Sequence, residues 1–126
     1  MQKELLIEMS SLRQTDIIQT LPTKAFLNKT QILRRLNTAR YALSAMDFME
    51  KNQPERYMEL MEQGELLTIL WEVQIEAKNF RLQVAEKLSA QPNIQKLSYW
   101  EKTQEMATQM ALIEQQIMRE IVLVQR

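Results

Sequence analysis

A chain of 126 residues with 45% apolar and 25% charged side chains and no net charge has the composition of one modest globular domain, which argues against a disordered chain. It contains no histidine, no cysteine and a single glycine. That removes imidazole and thiolate catalysis, the usual ligands of zinc, copper, haem and iron–sulfur clusters, and the glycine-rich loops that cradle phosphates. No cofactor is expected, and the chain is read as a non-enzyme.

The balanced total conceals two blocks of charge. Between Ile17 and Met46 five bases (Lys24, Lys29, Arg34, Arg35 and Arg40) occur with no acid, and between Asp47 and Glu76 eight acids face only Lys51 and Arg56. Blocks of this kind set up local fields that a pI does not report. They pair with each other inside the fold or across a dimer, they present a basic docking face for nucleic acid or an acidic surface for a partner, or they only solvate the surface.

In chain order, residues 1–21 carry Leu5, Met9 and Leu12 at helical spacing, followed by Ile17, Ile18 and Leu21, while Leu5-Leu6-Ile7 fits a strand equally well. From 30 to 51, Ile32, Leu33, Leu36, Ala39, Leu43, Met46 and Met49 make a helical stripe that Asn28 or Thr30 can cap. Pro54 suits the first position of a short helix over 54–63, and Gly64 sits where a left-handed cap is expected. The clearest pattern lies in 65–90, where Leu66, Leu70, Val73, Ala77, Phe80, Val84 and Leu88 alternate steps of four and three. That is close to a coiled-coil seam, on a helix ~38 Å long.

After Gln91-Pro92-Asn93 a last helix is predicted over about 95–124, beginning near Ile94 or Ser98, its buried face being Trp100, Met106, Met110, Ile113, Ile117, Ile121 and Val124. The short connection makes the last two helices antiparallel neighbours. The expected architecture is all-α: one domain, a helical bundle built on a long antiparallel hairpin.

The segment Glu55-Arg56-Tyr57-Met58-Glu59-Leu60-Met61-Glu62-Gln63-Gly64-Glu65-Leu66 resembles the core segment of the transposon-encoded V proteins (TnpV), small proteins of mobile elements. Glu76-Ala77, Phe80-Arg81, Trp100 and Arg119-Glu120-Ile121-Val122-Leu123 fall where that family carries similar residues, although the spacing from Trp100 to the tail is longer here. The likeness spans about residues 48–126 and is densest from Pro54 to Leu88. It implies a mobile-element setting and brings no catalytic residues.

Carboxylates are the remaining chemistry, with Glu55, Glu59 and Glu62 on one helical face and Glu72 beside Glu76. A di-iron bundle needs histidine, so an exposed acidic face explains them better than a metal site. The favoured function is an accessory or regulatory module that binds a protein partner through Glu55, Glu59, Glu62 and Glu65. A narrower form is an inhibitor of a host defence nuclease, anti-CRISPR-like, whose acids imitate phosphate spacing. The competing class is nucleic-acid binding through Lys24, Lys29, Arg34, Arg35 and Arg40. A helix-turn-helix around Gly64 is rejected, because its second helix would open on Glu65 and Glu72 and repel phosphate. Leu70, Val73, Ala77, Phe80 and Val84 form the candidate seam of a homo-oligomer. No apolar run reaches the ~18 residues that cross a bilayer, and MQKELLIEMSS is too short in apolar residues for a signal peptide. A cytoplasmic protein with no membrane association is expected.

Overall fold

The computed structural model describes residues 26–126, so the expected 1–21 segment and Lys24 lie outside the described residues. Those described form an all-α bundle: α1 (Lys29–Leu36), α2 (Arg40–Asn52), α3 (Pro54–Glu62), α4 (Leu66–Ser89), α5 (Pro92–Gln95) and α6 (Tyr99–Ile117), closed by a π-helical turn over Met118–Val122. Among them there is no strand, and no helix is long and apolar enough to cross a membrane.

The single helix expected over 30–51 is two helices. Asn28 starts α1 with a reciprocal capping box, its Oδ1 accepting from the Gln31 N–H while its own N–H donates to Gln31 Oε1, both at 2.9 Å. The chain then breaks at Asn37, which adopts φ 52° and donates its N–H to the Leu33 carbonyl. A short amide side chain tolerates positive φ better than a branched or bulky one. The apolar spacing runs unbroken through this corner, so periodicity gave no warning of it. Ile32 and Leu36 on one side and Ala42, Ala45 and Met46 on the other are all buried.

Having no side-chain cap of its own, α2 borrows one. Gln74 of α4 accepts a hydrogen bond from the Ala42 N–H at 3.1 Å. An orphan donor of the first turn is thereby satisfied across the core.

Pro54 opens α3 as expected, and Gly64 closes it at φ 72°. The Glu65 N–H donates to the Leu60 carbonyl at 2.9 Å and the Gly64 N–H to that of Met61 at 3.1 Å, which together make a Schellman motif. From there α4 runs for 24 residues, matching the expected 65–90 within a residue at each end.

Of the two starts expected for the last helix, Ser98 is the one observed, and the α-helix stops short of Val124. Pro92–Gln95 is a separate turn, and α6 begins at Tyr99 behind a capping box between Ser98 and Glu101. Beyond Ile117 the helix widens, with the Leu123 N–H donating to the Met118 carbonyl at 2.7 Å. Regular helical spacing would bury Ile117, Ile121 and Val124 together. The wide turn shifts the register by one, so Ile117 and Val122 are fully buried while Ile121 and Val124 are only half-buried. The Arg126 guanidinium donates to the carbonyls of Ile121, Val122 and Val124, and its burial pushes its pKa down.

One core cluster joins α1, α2, α3, the first half of α4, Ile117 and Val122. Ala42, Ala45 and Ala77 are wholly buried and let α2 lie close on α4. From Lys78 to Gln116, by contrast, Ile94 is the one buried residue. The buried face expected for the last helix is corrected accordingly: Trp100 is 66% exposed, and Met106, Met110 and Ile113 are half-buried.

Candidate interaction surfaces

The basic block divides: of its described members Lys29 and Arg40 pair with acids of the chain, and Arg34 and Arg35 do not. The Lys29 ammonium donates to both carboxylate oxygens of Glu50 at 3.0 Å, tying α1 to α2, and this hydrogen bond raises its pKa. Arg40 donates to Glu114 Oε2 at 2.6 Å and stacks over the Tyr41 ring 4.4 Å from its centroid. Arg34 and Arg35 are exposed in the last turn of α1, where they complement its dipole. Neither makes an ion pair among the described residues.

Glu114, which the sequence reading did not single out, is the polar centre of the fold. Its carboxylate accepts from Arg40, accepts from the Tyr41 hydroxyl at 2.9 Å and lies 4.0 Å from the Arg81 guanidinium. It therefore ties α6 to both α2 and α4. Desolvation pushes its pKa up, but the hydrogen bonds from Arg40 and Tyr41 outweigh that and hold it below the ordinary glutamate value. Burial, then the bond to Glu114, raises the pKa of Tyr41. A signal was present in the sequence: Glu114 directly follows Ile113 of the apolar stripe, at the edge of a face that packs.

The acids of α3 have the opposite fate. Glu55, Glu59 and Glu62 all stand exposed, and the half-exposed Met58 lies between them. Glu59 is held by Arg56 at 2.6 Å within the same helix. Glu65 does not share this face, because the Schellman turn carries it beyond α3 to the half-buried start of α4. Nearby, the Tyr57 hydroxyl is buried with no hydrogen-bond partner among the described residues, and burial raises its pKa.

The candidate oligomer seam is divided. Leu70, Val73 and Ala77 belong to the chain's own core, whereas Phe80 and Val84 are half-buried. Separately, an open groove runs between α2 and the π-helical turn, floored by Leu43, Phe48, Met118 and Leu123. Among the described residues no group of three or more acidic side chains comes together as a metal site.

No family model, no curated protein and no solved structure matches the chain.

Proposed function

We propose that this chain is a non-catalytic interaction module that binds a protein partner through the exposed acidic face of α3. Its setting is a mobile genetic element, where it serves as an accessory or regulatory protein. Its scaffold is a long antiparallel hairpin of α4 and α6 turned by α5, a reading favoured by the approach of Arg81 to Glu114. The observation that carries the proposal is the unequal use of charge. Lys29 and Arg40 are consumed by Glu50 and Glu114, while Glu55 and Glu62 remain exposed beside Met58 with no ion pair among the described residues. Unspent charge around an apolar side chain is the composition of an interface rim and centre. The mobile-element setting rests on the TnpV-like residues between Pro54 and Leu88. An inhibitor of a host defence nuclease is the narrower form, with the α3 carboxylates standing where phosphates would lie.

The exposed Arg34 and Arg35 favour a second reading, contact with a nucleic-acid backbone. One paired experiment separates the two. A protein captured by the wild type and by Arg34→Ala/Arg35→Ala, but lost with Glu55→Lys/Glu59→Lys/Glu62→Lys, supports the protein partner. Micromolar binding to nucleic acid at physiological salt, steeply salt-dependent and abolished by the double arginine change, overturns it.

A further inference from the structure

The apolar seam between α4 and α6 passes through two environments. On α4, Leu66, Leu70, Val73 and Ala77 are buried where α1, α2 and α3 cover them. The same stripe continues without change of spacing into Phe80, Val84 and Leu88, which are half-exposed. On α6 the buried Ile117 is followed outward by Ile113, Met110 and Met106, all half-exposed, and then by Tyr99 at 85% exposure. Among the described residues α6 lies against α4, α5 and the π-helical turn, and α2 reaches it through the bonds of Arg40 and Tyr41 to Glu114. Two helices side by side form a single layer, and an apolar stripe along one layer is stable only when a second layer closes over it.

We propose that the second layer is another copy of this chain. The two open hairpin ends pack face to face as an intermolecular four-helix bundle, resting on the hairpin described under the proposed function. The charges of this region select the occupant. From Lys78 to Leu112, bases (Lys78, Arg81, Lys87, Lys96, Lys102) are mixed with acids (Glu86, Glu101, Glu105), whereas a nucleic acid or an anionic membrane calls for one sign. Lys102 and Glu105 are both half-buried, one turn apart on the same side of α6. A two-fold axis between them sets Lys102 against Glu105 of the partner subunit, and the reciprocal pair forms by symmetry.

The test is sedimentation of the purified full chain at tens of micromolar. The expected species has twice the 15.0 kDa chain mass. Met106→Glu should return it to a monomer with helicity retained, because a carboxylate at a closed interface loses its water. Lys102→Glu should weaken the dissociation constant roughly tenfold, and adding Glu105→Lys to the same chain should restore it. A wild type that sediments at 15.0 kDa, or a dimer indifferent to both Met106→Glu and Lys102→Glu, overturns the proposal. The α3 charge reversals leave this mass unchanged, so loss of the partner-binding reading is seen separately. The hairpin has its own readout in the distance between spin labels at Gln83→Cys and Ala107→Cys within one chain.

Discussion

The two halves of α4 carry the same apolar repeat and experience opposite surroundings. From Leu66 to Ala77 the repeat is sealed by three other helices and supplies residues of zero or near-zero exposure; from Phe80 to Leu88 it is left half open among the described residues. Periodicity therefore shows that a face is meant to be covered but not what covers it. Burial stabilises by ~25 cal/mol for each Å² removed from water, so the covered half should carry most of the stability of the chain.

The largest effect should come from truncating the covered half. Leu70 is fully buried, and Leu70→Ala is expected to cost about 3 kcal/mol through lost transfer energy and a residual cavity. Val84→Ala, on the same stripe, should cost less than about 1 kcal/mol in the monomer. Equal losses in urea denaturation would erase the distinction between the halves. Hydrogen exchange sharpens it: amides around Met46 should open only with global unfolding, and those around Val84 by smaller local openings.

Glu114 joins the helices at the border of the halves, and Glu114→Gln should cost about 1–2 kcal/mol, held down by the exposure of Arg40. The sign of its pH dependence follows from its lowered pKa. The stability contributed is fully present above the ordinary glutamate value of about 4.3 and is lost as pH falls through the lower folded value. The gap between wild type and Glu114→Gln should thus close on going from about pH 7 to about pH 3. A gap that widens in acid would assign the effect to packing.

Backbone changes at the two corners should act in opposite directions. Gly64→Ala forces a Cβ into φ 72° and should cost about 1 kcal/mol. Asn37→Gly relieves a positive φ and should gain about half as much, measured as a raised melting temperature. The smallest effect is expected from Tyr57→Phe, neutral or slightly stabilising, because the hydroxyl it removes is buried without a partner among the described residues. A loss above about 1 kcal/mol would mean the hydroxyl has a partner in solution.

Local chemistry made much of the fold legible in advance. Pro54 at a first turn, Gly64 at a left-handed cap, Asn28 as a cap and the heptad-like run from Leu66 each act through their immediate neighbours, and each lies where it was expected. The candidate surfaces were legible only in part. Glu55, Glu59 and Glu62 share an exposed face, but Glu65 was separated from them by a turn. Three features depended on long-range packing. Asn37 bends an unbroken stripe because α1 and α2 must both reach α4. The π-helical turn moves Val122, rather than Ile121, into the core. The charge blocks did not meet as blocks: Arg40 reached past the nearby acids to Glu114, seventy-four residues away. Capping and turn preferences are properties of a few adjacent residues, so they can be read along the chain. The partner of a charge and the cover of an apolar face depend on which distant elements share the same space, and that is fixed by the packing of the whole.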